Sequence, residues 1–202
     1  MTLREKYGEW GIILGATEGV GKAFCERLAK EGMNVVMVGR REEKLKELGE
    51  ELKNTYEIDY KVVKADFSLP DATDKIFAAT ENLDMGFMAY VACLHSFGKI
   101  QDTPWEKHEA MINVNVVTFM KCFYHYMKIF AAQDRGAVIN VSSMTGISSS
   151  PWNGQYGAGK AFILKMTEAV ACETEKTNVD VEVITLGTTL TPSLLSNLPG
   201  GP

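Results

Sequence analysis

Apolar residues along this chain fall into short, nearly unbroken runs: 10-WGIILG-15, 33-MNVVMVG-39, 60-YKVVKA-65, 86-GFMAYVA-92, 136-GAVINVS-142 and 181-VEVITLG-187. A strand with one wet face alternates apolar and polar residues, whereas these runs suit parallel strands covered on both sides. The stretches between them carry helical periodicity and predict helices over residues 19–31, 41–55, 71–80, 104–132 and 154–177. Strand alternating with helix from end to end, joined by right-handed crossovers, predicts a doubly wound parallel α/β sheet folded as a single domain.

Two helical stretches differ from the rest. Residues 110-AMINVNVVTFMKCFYHYMKIFAA-132 and 157-GAGKAFILKMTEAVAC-172 are apolar on almost every face. A helix lying on a sheet needs one apolar stripe, so a second cover is expected, and the two helices together predict a homodimer or homotetramer interface. The final stretch, 187-GTTLTPSLLSNLPGGP-202, reads as loop. A sheet of this kind calls for one more helix and a closing strand, which are expected to lie outside this sequence.

Composition narrows the function classes. A formal net charge of -5, with no basic cluster longer than Arg40-Arg41, argues against a nucleic-acid partner. The start MTLREKYGEW has no apolar run behind its charges, and no window of about 18 apolar residues occurs, so neither a signal peptide nor a membrane span is expected. Cys25, Cys93, Cys122 and Cys172 are scattered through apolar or helical stretches, which predicts free thiols rather than a metal site or disulfide set. A cytoplasmic protein acting on a small molecule, with no metal, fits best.

Chemistry enters where the first strand ends. The segment 15-GATEGVG-21 runs directly from strand to helix. Gly15 serves the tight turn, Gly19 the close approach of backbone to a pyrophosphate, and Gly21 the packing of helix on strand, while the free N–H groups of the helix face the anion. Placed there, the loop predicts a Rossmann-like dinucleotide site with Thr17, Glu18 and Val20 beside the phosphates. At the tip of the second strand, 38-VGRRE-42 puts Gly39, Arg40 and Arg41 where an NAD site carries an acid. A guanidinium binds a 2′-phosphate bidentately, so NADP(H) is the expected cofactor. Asp66 and Phe67, just past the third strand, are placed at the adenine. There Asp66 either hydrogen-bonds the amino group or serves as a turn residue.

A Tyr four residues before a Lys shares a helix face with it, and a nearby ammonium lowers a phenol pKa from about 10 toward a useful range. Three such pairs occur: Tyr60/Lys64, Tyr124/Lys128 and Tyr156/Lys160. The first lies on a strand and the second midway along the apolar helix. Only the third follows a strand that ends in Ser142-Ser143, and ligands of open α/β sheets bind outside such strand ends. Ser143 is placed to donate a hydrogen bond to a substrate carbonyl.

The set 15-GATEGVG-21, Asn115 in 113-NVN-115, Ser143 and 156-YGAGK-160 resembles the short-chain dehydrogenase/reductase family, and the resemblance covers the whole sequence. It implies hydride transfer between a nicotinamide and a carbonyl or secondary alcohol. Tyr156 would be the general acid/base, with Lys160 lowering its pKa and holding the nicotinamide ribose. Ser143 would orient the substrate oxygen, and Asn115 would support a water relay to Lys160. Val91 and Ala92 are implied at the cofactor ribose, and Gly187, Thr189 and Thr191 at the nicotinamide carboxamide. Residues 1–187 would form the dinucleotide-binding and catalytic domain, and 188–202 the start of a mobile substrate-binding loop.

Within the family, 90-YVACLHSFGKIQDTPWEKHEAMINVNVVTF-119, 142-SSMTGISSSPWNGQYGAGKAF-162 and 183-VITLGTTLTPSLLSNLPGGP-202 resemble an NADP-dependent branch acting on bile-acid steroids. That implies interconversion of a 7-oxo group and the 7β-alcohol. Thr145, His95 and Ser193 then become substrate candidates beside Ser143 and Tyr156. Residue types alone reach only a ketone or secondary alcohol. A reductase of a β-ketoacyl thioester and a non-catalytic NADP-binding regulator remain as alternatives.

One stretch departs from the family pattern. Tyr90-Val91-Ala92-Cys93 stands where Asn-Asn-Ala-Gly is usual, and Leu14 where Thr is usual. Exchanging both members of a buried polar pair is nearly neutral, which leaves the backbone of Val91 and Ala92 for the cofactor. A Cys in place of Gly raises the question of a left-handed backbone at Cys93.

Overall fold

The computed structural model describes residues 1–148 and 151–187. Strands β1 (Trp10–Leu14), β2 (Asn34–Gly39), β3 (Tyr60–Lys64), β4 (Met85–Tyr90), β5 (Gly136–Ser143) and β6 (Val179–Leu186) each lie on the run that predicted them. They form one parallel sheet in the order β3-β2-β1-β4-β5-β6. Every residue of β2 and β4 is buried, as unbroken apolar runs require.

Period-two alternation sorts the strand side chains between two cores. Ile12, Leu14, Val36, Val38, Met88 and Tyr90 face one side, where α4 (Ala72–Thr80), α6 (Phe119–Gln133) and α7 (Gly154–Glu173) supply Ile76, Phe119, Phe123, Tyr126 and Ile163. Ile13, Val35, Met37, Phe87 and Ala89 face the other, against α2 (Gly19–Lys30) and α3 (Glu42–Tyr56). Cys25, Leu28 and Ala29 on α2, and Leu45, Leu48 and Leu52 on α3, hold the helical spacing that such a face needs.

Three predicted helical features need correction. The stretch expected as one helix over residues 104–132 is α5 (Trp105–Ile112), a π-helical segment Asn113–Thr118, and α6. Tertiary bonds hold the wider turn: Tyr90 Oη donates to Val114 O at 2.6 Å, Thr118 Oγ1 to Phe67 O at 2.8 Å, and Asn113 Nδ2 to Ser68 O at 3.1 Å. Helix α7 stops at Glu173 rather than 177, where Thr174 Oγ1 turns back to Ala171 O at 3.1 Å. A short α1 (Leu3–Tyr7) was not expected, because five residues carry no readable period; a capping box between Thr2 and Glu5 starts it.

The apolar helices do keep a second open face. Ile112 is 40% exposed, Val117 39% and Tyr124 60%, while Phe119, Cys122, Phe123, Tyr126 and Phe130 cover the sheet.

Tyr90 also answers the odd stretch at the end of β4. Its ring is fully buried, and its hydroxyl bonds a carbonyl of the π-helical segment instead of a neighbour across the sheet. Tyr90→Phe is expected to lower the unfolding free energy by about 1–2 kcal/mol. The check is a fall of the urea midpoint at unchanged slope; an unchanged midpoint would mean that the hydroxyl contributes nothing.

Candidate active site

Strands β1 and β4 lie side by side, yet their chain continuations leave toward opposite ends of the sheet. At that reversal a crevice opens outside the carboxyl ends of the strands. A cavity of about 710 Å³ occupies it. Its wall combines the turn after β1, the tips of β2 and β3, the loop after β4, the end of β5 and the first turns of α7.

Gly15, Thr17, Glu18, Gly19, Val20, Gly39, Arg40, Arg41, Asp66 and Phe67 line one half. Gly15 has φ 101°, and a Cβ there would lie 2.6 Å from Ala92 N. Gly21 stands behind this wall: a Cβ would come within 1.9 Å of Gly15 O, so its role is close packing of α2 on the turn. A Cβ on Gly39 would lie 2.7 Å from Thr17 Oγ1, which works against any longer side chain at that position. Arg40 is exposed, and Arg41 Nη2 pairs with Glu18 Oε2 at 2.7 Å. Asp66 takes its turn role, since Oδ1 accepts from Ser68 N at 3.0 Å and Ser68 Oγ at 2.7 Å.

The loop after β4 differs from the expectation. The N–H groups of Val91 and Ala92 are committed, donating to Leu14 O at 2.9 and 2.7 Å, so they are not available to a ligand. Both residues nonetheless line the cavity. Cys93 needs no left-handed backbone; among described non-glycine residues only Glu57, Asp134 and Trp152 have positive φ. Asn115 is buried behind the wall. Its Oδ1 accepts from Leu94 N at 3.0 Å and its Nδ2 donates to Leu94 O at 2.7 Å, clasping that loop to the π-helical segment.

The three Tyr/Lys pairs separate cleanly. Tyr60 Oη bonds Glu50, and Tyr124 is an exposed ring under Lys128. Tyr156 and Lys160 line the cavity with Ser143. Ser143 and Cys93 lie beside the Tyr156 hydroxyl. Burial pushes its pKa well above the usual phenol range, the neighbouring Cys93 thiol adds to the rise, and the Ser143 hydroxyl works against it. Lys160 does not provide the expected lowering: Nζ lies 5.7 Å from the Tyr156 ring centroid and donates to Val141 O at 2.7 Å. Burial lowers the pKa of Lys160 itself.

Comparison with known proteins agrees with this geometry. Residues 9–198 match the family described as short chain dehydrogenase. The chain belongs to the short-chain dehydrogenase family. It is an oxidoreductase of a family that uses a nicotinamide cofactor. It is 84% identical over 202 residues to a 7β-hydroxysteroid dehydrogenase of Collinsella aerofaciens, covering 100% of this chain and 77% of that protein. A 7β-hydroxysteroid dehydrogenase of Clostridium sardiniense is 46% identical over the same 202 residues, with the same coverage of 100% and 77%. A solved structure from work on 7β-hydroxysteroid dehydrogenase stereoselectivity superposes with a TM-score of 0.95 at 84% identity, covering 100% of this chain and 78% of that one.

Other residues fall into place around this family site. His95 lines the cavity with its ring edge-on to Tyr156 at 5.7 Å and to Phe97 at 5.6 Å; burial, then the Lys160 charge, lowers its pKa. Thr145 lines the cavity and donates to Ser143 Oγ at 3.0 Å. Gly187 reaches the wall, whereas Thr189, Thr191 and Ser193 lie outside the described residues. Met144 lines the site, as do Leu94, Phe97 and Asn153, which were not singled out as site residues. Asn153 precedes α7 and reads as a helix cap, yet its side chain makes no cap bond, and its buried Oδ1 has no partner among the described residues. His108 contacts Gln155, next to Tyr156, and Ile100 O at 3.1 Å.

The lowered Lys160 pKa carries a stability prediction. Its proton is held more tightly in the unfolded chain, so this residue's contribution to stability rises as pH climbs toward its unfolded value of about 10.4. The Tm of the native protein minus that of Lys160→Met should therefore increase as pH rises from neutrality toward that value. A difference independent of pH would contradict the burial of a strained ammonium.

Proposed function

We propose that the chain is an NADP(H)-dependent oxidoreductase that interconverts a 7-oxo bile acid and its 7β-hydroxy form, with Tyr156 as general acid/base. The observation that carries the reading is the meeting of Ser143 and Tyr156 in one cavity with an arginine pair at its far end. Likeness to two 7β-hydroxysteroid dehydrogenases over the whole chain directs it to carbon seven.

The residues present fit the cofactor. The backbone at Gly15, Gly19 and Val20 and the start of α2 suit the pyrophosphate, with Thr17 beside it. Arg40 and Arg41 suit a 2′-phosphate, and Gly39 stands where an NAD site would place an acid. Asp66 and Phe67 take the adenine side, Val91 and Ala92 the ribose side. Tyr156, Lys160, the buried Asn115 and Gly187 suit the nicotinamide end, to which the family pattern also assigns Thr189 and Thr191, outside the described residues. When bound, the reduced cofactor supplies the hydride that converts a carbonyl carbon to an alcohol.

The side chains do the rest. Ser143 donates a hydrogen bond to the substrate carbonyl and stabilises the charge that develops on oxygen. Tyr156, kept protonated by burial, gives its proton to that oxygen. A phenol held high in pKa suits reduction at neutral pH; the reverse reaction needs it deprotonated and gains from higher pH. Leu94, Phe97, Met144 and Leu186 offer an apolar wall for a rigid ring system, with His95 and Thr145 as polar contacts. In this reading residues 1–187 form the catalytic domain, and 188–202, with Ser193, begins a substrate-binding loop.

The exposed Ile112, Val117 and Tyr124 support a homodimer or homotetramer through α5, the π-helical segment and α6. A cytoplasmic setting is in keeping with a chain in which no described helix is long and apolar enough to cross a membrane. Among the described residues no group of His, Cys, Asp and Glu is arranged to hold a metal ion. A thioester reductase would favour a basic rim, and 187-GTTLTPSLLSNLPGGP-202 contains neither Lys nor Arg.

The test is absorbance loss of NADPH with a 7-oxo bile acid and, in parallel, with a β-ketoacyl thioester. Turnover is expected on the steroid, and Tyr156→Phe should lose at least about 10²-fold of it while binding NADPH as before. Turnover on the thioester alone would overturn the substrate class, and an active Tyr156→Phe would remove Tyr156 from its role.

A further inference from the structure

Glu18 is an odd residue to find in this site. It stands just before α2, whose N-terminus faces the cavity, and its side chain makes no cap bond there. A carboxylate in that position opposes the anion that a helix N-terminus and a glycine turn are shaped to receive. Its Oε2 instead lies 2.7 Å from Nη2 of Arg41, which comes from the next strand–helix turn. Both residues line the same cavity. The side chains are 24% and 45% exposed, and pairs so exposed contribute little to fold stability, so stability does not explain the contact.

Resting on the NADP(H) reading above, we infer that Glu18 is a built-in competitor for the cofactor 2′-phosphate. It occupies the guanidinium of Arg41 until a stronger anion takes it. A phosphate carries more charge and more acceptor oxygens than a carboxylate, so it displaces Glu18 from Arg41. The displaced carboxylate then stands near the phosphate as a like charge, which weakens the hold on NADP(H) and speeds its release. NADH lacks the 2′-phosphate and leaves the Glu18–Arg41 pair intact. Glu18 therefore blunts the preference for NADPH that Arg40, Arg41 and Gly39 create.

Fluorescence titration of NADPH and NADH into the native protein, Glu18→Gln, Arg41→Ala and the double variant tests this. Glu18→Gln keeps the side-chain volume and removes the charge. It should tighten NADPH by about five- to tenfold and NADH by no more than about twofold, the scale of a half-exposed ion pair plus a screened repulsion. The gain should fall to the direct-repulsion share, no more than about twofold, in the Arg41→Ala background, and shrink as salt rises from about 0.05 M to about 0.5 M. Unchanged or weaker NADPH binding in Glu18→Gln, with Arg41→Ala still weakening NADPH selectively, would overturn the competitor role alone. If the native protein binds NADH as tightly as NADPH and Arg41→Ala alters neither, the NADP(H) reading falls with it.

Discussion

The pairing of β1 with β4 fixes where everything else stands. The amides of Val91 and Ala92 both close on Leu14 O, which ends the sheet at the point where the strand order reverses. That bond places the phosphate turn on one side of the crevice and the loop carrying Cys93, Leu94 and His95 on the other. The same loop is clasped by Asn115, and the strand beneath it is tied to Val114 through Tyr90. A Cβ on Gly159 would lie 2.9 Å from Asn115 Cβ, so α7 rests directly on the π-helical segment. The glycine turn after β1, the loop after β4 and helix α7 thus form one continuous set of contacts, with the π-helical segment at its centre, and such departures from regular helix are often found at functional sites.

The site is maintained against the preferences of its own groups. Lys160 is almost wholly buried, with its ammonium donating to Val141 O, and Tyr156 is held above the ordinary phenol range. His95 Nε2 and Asn153 Oδ1 are buried without partners among the described residues. Each unpaired polar group of this kind destabilises the fold. Polar groups left unsatisfied around Tyr156 are expected where a protein is shaped to receive a polar ligand rather than to maximise stability.

Much of the fold was legible because its causes are local and repetitive. Buried parallel strands need unbroken apolar runs, and 34-NVVMVG-39 and 85-MGFMAY-90 show them. The glycine turn and the Tyr156/Lys160 pair were also readable, the latter only because Ser143 stood at the preceding strand end. What stayed hidden depends on partners distant in sequence. The π-helical segment is held by Tyr90, Phe67 and Ser68, none of them in its own stretch. The commitment of the Val91 and Ala92 amides to Leu14 needs the β1–β4 register, and the Glu18–Arg41 pair needs two turns brought together. The Tyr156 pKa ran opposite to expectation because sequence spacing gives proximity to Lys160 but not the depth of burial.

In the function proposed above, Ser143 and Tyr156 present their hydroxyls to one face of a ketone at carbon seven of a bile acid. The configuration of the alcohol made from a 7-oxo bile acid and NADPH, read by NMR of the isolated product, tests this most directly. A 7β-hydroxyl is the predicted result. A 7α-hydroxyl, or reduction at another carbon, would contradict it.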